Sequence, residues 1–148
     1  MTDLAPSSMR IVLADDDPDD RMMACEAFEE AHVANPIDLT EDGEDLLDYL
    51  HRRGRHADRA GGHPGLILLD LNMPRMDGRE ALAAIKSDDT LRRIPVVVLT
   101  TSKAEEDLLR TYDLGVNSFV VKPVTFAGLV DVVRTLDNYW FKLVSRPG

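Results

Sequence analysis

The sequence predicts an α/β domain built on a doubly wound, five-stranded parallel sheet, and three observations support this. Five short runs rich in Val, Ile and Leu alternate with segments of helical patterning. These runs are continuously apolar, which is typical of strands covered by helices on both faces. The length of 148 residues suits one domain, residues 1–148, with a full core. We expect the strand order 2-1-3-4-5, in which the first and third strands are neighbours.

The first half of the chain supplies two strands and two helices. The run "RIVLA" at 10–14 predicts the first strand, and a helix follows at 18–33. The run "PIDLT" at 36–40 predicts the second strand, and a helix follows at 42–52. Their apolar spacing assigns these residues to the inner faces: Met22, Met23, Ala27 and Phe28 in the first helix, and Leu46, Leu47 and Leu50 in the second.

The second half repeats the alternation three times. The runs "GLILLD" (65–70), "IPVVVLT" (94–100) and "SFVVK" (118–122) predict the remaining strands. Asp77 and Ser102 are suited to cap the next two helices. A long last helix begins near Thr125, and five of its residues are expected to face the sheet: Phe126, Leu129, Val130, Val133 and Leu136.

The acidic net charge argues against some classes of binding partner. The chain has 27 acidic and 17 basic residues, a net charge of −10. This argues against a nucleic-acid partner and against an anionic membrane surface, since both need a basic face. The single cysteine, Cys25, excludes an internal disulfide. Because the sequence shows neither a signal peptide nor an apolar run of ~20 residues, we expect a cytoplasmic protein.

The stretch between the second helix and the third strand is rich in Gly, Arg and His. Residues 52–65 are interpreted as a solvated surface loop. His51, His56 and His63 raise the question of a metal cluster. Their spacing is irregular and no cysteine accompanies them, so the solvated loop is favoured.

Polar side chains follow the strands at their carboxyl ends, where ligands gather in such sheets. Asp15 and Asp16 follow the first strand, and Asp70 ends the third within "LILLDLNMPRMDG". Thr100 ends the fourth strand and Lys122 ends the fifth. If the first and third strands are neighbours, the three carboxylates converge.

These residue types together indicate phosphoryl chemistry. Three carboxylates in one pocket repel each other unless a cation joins them, and hard oxygen ligands suit Mg²⁺. The hydroxyl of Thr100 and the ammonium of Lys122 can hold the equatorial oxygens of a phosphoryl group. Asp70 is then placed as a nucleophile that forms an acyl phosphate.

Three rival classes fail on particular residues. A haloacid-dehalogenase-type phosphatase needs an acid two residues after its nucleophile, where this chain has Asn72. A nucleotide-binding loop would be rich in Gly, whereas residues 15–20 are acidic and repel phosphates. A calcium EF-hand needs glycine where Asp20 stands, and a helix before the loop where a strand is predicted. The EF-hand pattern matches only at Asp15, Asp17, Asp19 and Glu26.

Over residues 10 to about 136 the chain resembles the receiver domains of two-component response regulators. The resemblance rests on the pair Asp15-Asp16, on "DLNMPRMDG" from Asp70, on Thr100 and on Lys122 followed by proline. It implies a flavodoxin-like receiver fold. It also implies that Asp70 accepts a phosphoryl group from the phosphohistidine of a sensor histidine kinase.

The resemblance implies roles for the other site residues as well. Asp16 and Asp70 would bind Mg²⁺ directly, with Mn²⁺ as a substitute. Asp15 would act largely through water, and Asn72 through its backbone carbonyl. Lys122 would hold the phosphoryl group.

The resemblance also implies a conformational switch. Thr100 would move toward the phosphoryl group while the aromatic ring of Phe119 turns inward. Many family members have Tyr at the position of Phe119. Phe keeps the bulk and lacks the hydroxyl, so the ring here cannot form a hydrogen bond in the switch.

A narrower resemblance is to the small stand-alone regulators paired with bacterial phytochromes. It rests on "DDDPDD", on the length of the 52–65 loop and on the tail "LDNYWFKLVSRP". It implies a bacteriophytochrome as the kinase. Only 25 residues follow Pro123, too few for a DNA-binding output domain.

The tail adds apolar and aromatic surface beyond the last helix, which is typical of an interface. We therefore expect a receiver core at 9–136 and a dimerisation extension at 137–148. The alternative is that the tail folds back on its own domain. The homodimer interface is expected to contain Leu136, Tyr139, Trp140, Phe141 and Leu143.

The sequence is thus interpreted as a signalling protein that acts through conformational change and protein–protein contacts. It would support its own phosphorylation and dephosphorylation without being a turnover enzyme. The alternative is an adaptor that keeps the receiver fold and works without phosphorylation.

Overall fold

The structure is a computed structural model that describes residues 9–59, 61–71, 76, 78–100, 103–110, 116 and 118–138, without the side chains of 107–110. Within these residues five strands alternate with five α-helices. In chain order they are β1 (Ile11–Ala14), α1 (Pro18–Glu30), β2 (Ile37–Thr40), α2 (Gly43–His51), β3 (Leu66–Asp70), α3 (Gly78–Lys86), β4 (Val96–Thr100), α4 (Lys103–Arg110), β5 (Ser118–Val121) and α5 (Phe126–Leu136).

All strand pairs in the sheet are parallel, and their order is β2-β1-β3-β4-β5. The predicted fold class and strand order are therefore confirmed. In the register of β1 and β3, Ala14 lies opposite Leu69. The residues that follow them, Asp15 and Asp70, consequently meet at the same edge of the sheet.

The core consists of two apolar layers, one on each face of the sheet. Alternate residues of the central strands point to opposite faces, as the period of a strand requires. Val12 and Ile67 pack with α2 and α3, whereas Ile11 and Leu68 pack with α1 and α5. Because both faces are covered, the central strands contain no polar residue until their carboxyl ends.

Side-chain caps fix where several helices begin. The Asp17 carboxylate accepts hydrogen bonds from the backbone N–H groups of Asp19 and Asp20 at the start of α1. Asp42 accepts from Asp45 N–H at 2.8 Å at the start of α2. Such caps satisfy amide groups that the helix itself leaves without partners. The expected caps Asp77 and Ser102 lie outside the described residues.

Two expected core positions are wrong. Met22 is 62% exposed, while Ala24, Ala27 and Phe28 form the inner face of α1. Phe126 is 40% exposed because it occupies the first turn of α5, and the buried face of this helix starts at Val130. No helix within the described part of the chain has the length and apolarity to cross a membrane.

Candidate functional site

Three carboxylates converge at the carboxyl ends of β1 and β3. Asp15 and Asp70 are almost completely buried, and Asp16 beside them is exposed. One carboxylate oxygen from each of the three lies within 4.8 Å of the other two. Among the described residues this is the one cluster with the geometry of a metal site.

Lys122 follows β5 and brings its ammonium to the same cluster. Its Nζ donates hydrogen bonds to Asp15 Oδ2 at 2.9 Å and to Asp70 Oδ2 at 3.2 Å. Its backbone N–H donates to the carbonyl of Thr100 at 2.8 Å, which fixes the end of β5 against β4. The ammonium thus acts as a counter-ion of the buried carboxylates.

The surroundings of Lys122 keep it charged. Burial by itself would lower the pKa of its ammonium, but hydrogen bonds to Asp20 and Asp15 and the charge of Asp70 hold that pKa above its ordinary value. The site therefore keeps a fixed positive charge over the whole physiological range. An anion that enters the pocket meets this charge beside Asp70.

Asp20 is a member of the site that sequence reasoning missed. Its Oδ2 lies 2.8 Å from Lys122 Nζ, closer than either expected partner. The Asp17 cap fixes the first turn of α1 and places Asp20 above the end of β1. The signal was the acidic density of "DDDPDD", which exceeds what a three-carboxylate site requires.

The two expected switch residues lie on neighbouring strands. Thr100 is fully buried, and its hydroxyl donates to the carbonyl of Val120 on β5 at 3.5 Å. Phe119 is partly buried and packs against the core layer of α2 and α3. Its partner in the sheet register is Val98 of β4. In this structure the Thr100 hydroxyl is thus engaged with β5.

Close backbone contacts support the loop after β3. Gly78 N–H donates to the carbonyl of Leu71 at 3.0 Å, and Gly43 N–H donates to that of Met76 at 2.9 Å. A Cβ at Gly78 would lie 2.5 Å from the carbonyl oxygen of Asp70, so only glycine fits. The start of α3 and the start of α2 both rest directly on this loop.

The donor set fits a hard divalent cation. The three clustered groups are all carboxylates, which Mg²⁺ and Mn²⁺ accept as ligands. Asp16 is exposed, which leaves room for the waters that Mg²⁺ retains. Asn72, the expected fourth ligand, lies outside the described residues.

The dimer prediction needs one correction. Leu136 is 5% exposed and packs in the α1–α5 core layer with Val130 and Val133, so its side chain is not available to a partner. The reason is helical spacing, because Leu136 continues the inner face of α5 at intervals of three residues. The other expected interface residues, Tyr139, Trp140, Phe141 and Leu143, lie outside the described residues.

The expectation of a fully solvated 52–65 loop is only partly right. His56 has a side-chain exposure of 10%, and its Nε2 lies 2.8 Å from Asp45 Oδ1 on α2. Gly54–His56 forms a short 3₁₀ turn. Among the described residues, His51, His56 and His63 do not come together as a metal-ligand cluster.

The model of the response regulator receiver domain family matches residues 11–134. This match covers most of the chain, and the sheet order and acidic cluster agree with it. The chain belongs to the response regulator receiver domain family and is a response regulator of two-component signal transduction.

Two curated relatives and one solved structure are closely similar. The probable methanogenesis regulatory protein FilR2 of Methanothrix harundinacea is 39% identical over 138 residues, 93% of this chain and 87% of FilR2. Response regulator Rcp1 of Synechocystis is 35% identical over 147 residues, 99% of both chains. The Mn²⁺-bound crystal structure of Rcp1 gives a TM-score of 0.79 over 95% of this chain and 99% of that one.

A further solved structure is that of a phytochrome response regulator. The crystal structure of the phosphorylated cyanobacterial phytochrome response regulator RcpA is 41% identical to this chain, with a TM-score of 0.78. The similarity covers 90% of this chain and 94% of RcpA. The resemblance to phytochrome-associated regulators is therefore confirmed.

Proposed function

We propose that this receiver accepts a phosphoryl group on Asp70 from the phosphohistidine of a sensor histidine kinase, in a Mg²⁺-dependent reaction. The observation that carries the proposal is the contact of one ammonium, that of Lys122, with the carboxylates of both β1 and β3. A buried carboxylate beside a fixed positive charge is a nucleophile with a stabiliser for the incoming anion already in place.

The transfer is a displacement at phosphorus. A carboxylate oxygen of Asp70 forms the new P–O bond while the P–N bond to the kinase histidine breaks. The electron pair of the broken bond stays on the histidine nitrogen, which takes up a proton from solvent, so the carboxylate is consumed and the neutral imidazole is restored. Lys122 then exchanges its contact with the Asp70 carboxylate for one with a phosphoryl oxygen.

The metal role is assigned to the residues at the edge of β1 and β3. Asp16 and Asp70 would be the direct ligands, Asp15 would act largely through water, and Asn72 would contribute its backbone carbonyl. When bound, Mg²⁺ offsets the charge of the carboxylates and of the incoming phosphoryl group. The similar regulator Rcp1 has been crystallised in a Mn²⁺-bound form, which supports Mn²⁺ as a substitute.

The switch role follows from the position of the Thr100 hydroxyl. It now donates to Val120 on β5, and on phosphorylation it would turn to a phosphoryl oxygen at the end of β3. The space it leaves next to β5 would let the ring of Phe119 move farther inward. Strand β5 thereby carries the state of Asp70 to the protein surface.

For the kinase we propose a bacteriophytochrome, supported by the similarity to RcpA. We further propose a cytoplasmic location, where the ATP that phosphorylates such a kinase is found. The protein would act as a receiver that supports its own phosphorylation and dephosphorylation, and not as a turnover enzyme.

We also propose a homodimer formed by the tail, with a receiver core at 9–136 and an extension at 137–148. The support is the composition of the tail, with Tyr139, Trp140, Phe141 and Leu143 within five positions. Fully burying one such side chain is worth roughly 1.5–3 kcal/mol. Doubled by two-fold symmetry, several of them can offset an association cost of ~4–15 kcal/mol.

The test of the phosphoacceptor is intact mass after incubation with Mg²⁺ and a small phosphodonor. Wild type should gain one phosphoryl group, and Asp70→Asn should gain none. The matched control is Asp89→Asn, the same change at a residue whose side chain is 92% exposed. Equal labelling of Asp70→Asn and wild type would refute the assignment, and no labelling of wild type would favour the phosphorylation-independent adaptor.

The test of the metal uses the same assay with chelator. Labelling should stop on chelation and return with Mg²⁺ or Mn²⁺. Asp16→Ala should weaken metal binding, measured by calorimetry, more than Asp15→Ala, because Asp16 is the direct ligand. Equal metal affinity of Asp16→Ala and wild type would contradict the ligand assignment.

A further inference from the structure

A second polar cavity lies at the edge of the sheet, between β2, α2 and the 52–65 loop. We call it the Tyr49 pocket. Its volume is about 320 Å³, at the lower end of the range for small-molecule sites. Arg10 precedes β1 and Asp38 is the second residue of β2, so the pocket lies away from the carboxyl ends that hold Asp70. Its lining residues are Arg10, Asp38, Leu39, Tyr49, His56 and Arg59.

Two of the lining groups already satisfy each other. Arg10 Nη1 lies 3.0 Å from both oxygens of Asp38, and the hydroxyl of Tyr49 donates to Asp38 Oδ2 at 2.5 Å. The charge of Asp38 is therefore matched by Arg10. This pair forms one neutral wall of the pocket.

Arg59 has no acidic partner in the described part of the chain. Its guanidinium carbon lies 4.0 Å from the centre of the Tyr49 ring. Its Nε donates to the carbonyl of Tyr49 at 3.1 Å, and its Nη1 donates to that of Gly62 at 3.0 Å. Both partners are uncharged, so the positive charge of Arg59 is not neutralised there.

The remaining guanidinium nitrogen of Arg59, Nη2, lacks a hydrogen-bond partner among the described residues. Among the described residues, Arg59 Nη2 is the one buried side-chain nitrogen or oxygen with no hydrogen-bond partner. Leaving such a donor unmet inside a protein is costly, more so for a charged group. The guanidinium is held by ring stacking and two hydrogen bonds, and it still has a donor to offer.

Charge sets the class of ligand. The lining of the pocket contains two guanidinium groups, Arg10 and Arg59, against one carboxylate, Asp38. Arg55 and His56 both contact Asp45, so that carboxylate is already engaged. A surplus of one positive charge is matched by one negative charge. It stands out in a chain whose net charge is −10.

Shape adds a second criterion. Leu39 and the ring of Tyr49 are apolar parts of the lining, and the rings of His56 and Tyr49 are nearly perpendicular with 5.4 Å between their centres. A ligand of this pocket needs a flat or apolar body beside its charged end.

We propose that the Tyr49 pocket binds a small organic monocarboxylate, with the carboxylate at the guanidinium of Arg59 and the apolar body beside Leu39 and Tyr49. The proposal is independent of the phosphoacceptor assignment. It gives the receiver a second, small-molecule input at the edge of the sheet.

The test is a titration of the metal-free full chain with benzoate, followed by the amide signals of Gly61 and Gly62 in NMR spectra and by calorimetry. Metal is removed on a chelating resin, because a soluble polycarboxylate chelator would compete for the pocket. Benzamide serves as the neutral probe of the same shape, and phenyl phosphate as the probe with a higher charge. We expect saturable binding of benzoate, at least about tenfold tighter than that of either other probe.

Variants at one position complete the test. Arg59→Gln should weaken benzoate binding about tenfold or more, whereas Arg53→Gln should not change it. Arg53 belongs to the same loop, pairs with Asp48 and does not line the pocket, so its change removes the same charge elsewhere. Arg59→Lys, which keeps the charge and loses the planar fork, should weaken binding several-fold and decides the matter if Arg59→Gln does not fold.

Three outcomes would overturn the proposal. One is the absence of saturable benzoate binding to wild type. Another is benzoate binding that is no tighter than the binding of benzamide or of phenyl phosphate. The third is unchanged benzoate binding in a folded Arg59→Gln or in Arg59→Lys.

Discussion

A methyl group placed at Gly78 tests the contact between the start of α3 and the backbone at the end of β3. Gly78 begins α3 and lies against the backbone of Asp70 and Leu71. The added Cβ of Gly78→Ala would be 2.5 Å from the Asp70 carbonyl oxygen and 2.5 Å from Leu71 Cα. Both contacts are with main chain, so no flexible side chain can move aside.

The magnitude follows from the overlap. Carbon atoms in ordinary contact are about 3.5–4.0 Å apart, so the new methyl overlaps its neighbours by roughly 1 Å. Overpacking of this kind costs ~1–3 kcal/mol. Alanine recovers at most ~0.5–1 kcal/mol through its helix propensity. We expect Gly78→Ala to lower the free energy of unfolding by about 1–2 kcal/mol.

The same shift should impair chemistry, because the main chain that moves belongs to Asp70. A displacement of about 1 Å at a reacting group can cost on the order of 100-fold in rate. We therefore expect a much slower mass gain from a small phosphodonor at a temperature where the variant is folded.

Urea unfolding and the phosphorylation time course measure the two effects together. With a slope of about 2 kcal/mol/M, the urea midpoint should fall by roughly 0.5–1 M. The control is Gly62→Ala, where an added Cβ meets no atom within 4 Å and should change neither quantity. Wild-type stability and labelling rate in Gly78→Ala would refute the account of the loop.

Three further predictions concern charge and assembly. Lys122→Ala should bind Mg²⁺ at least as tightly as wild type by calorimetry, because a competing cation is gone. The variant should not undergo the conformational change on phosphorylation. A wild-type change in Lys122→Ala would exclude a role of Lys122 in the switch. Asp45→Asn should lower the free energy of unfolding by about 1–3 kcal/mol at neutral pH. Burial raises the pKa of Asp45, but hydrogen bonds from Arg55, Glu41 N–H and His56 lower it, so that overall it lies below its usual 3.8. The difference in unfolding free energy between Asp45→Asn and wild type should therefore shrink as pH falls through the folded-state pKa. A difference that does not depend on pH would refute the ion-pair explanation. A chain ending after Asp137 should be a monomer by light scattering where wild type is a dimer, and a monomeric wild type at high micromolar concentration would indicate a tail folded onto its own domain.

The strands and their end residues could be predicted from the sequence because they depend on short, local residue patterns. Continuous apolar runs predict strands covered on both faces. Each of the runs that supply the site ends at, or directly before, a polar residue of the site. For this reason Asp15, Asp70, Thr100 and Lys122 could be assigned to strand ends before their contacts were known. In a parallel sheet the carboxyl ends of all strands lie at the same edge, so these residues come together irrespective of the loop conformations.

The sequence was misleading where several apolar residues adjoin. In α1 the residues from Met22 to Cys25 are all apolar, so spacing could not decide which of them face the core. The burial of Ala24 and exposure of Met22 are set by the packing of α1 against α5, a long-range contact. Likewise, Asp20 contacts Lys122 after β5 and Arg59 contacts Tyr49 of α2, and neither contact can be predicted from the neighbouring sequence.

The hydrogen bond from Gly43 N–H to the carbonyl of Met76 ties the start of α2 directly to Met76. No side chain fits between them, since a Cβ at Gly43 would overlap that same carbonyl. A displacement of Met76 must therefore carry the start of α2 with it or break this bond. Six residues farther along α2, about 9 Å at the helical rise, stands Tyr49. Helix α2 thus contacts Met76 at its first residue and lines the Tyr49 pocket near its last turn.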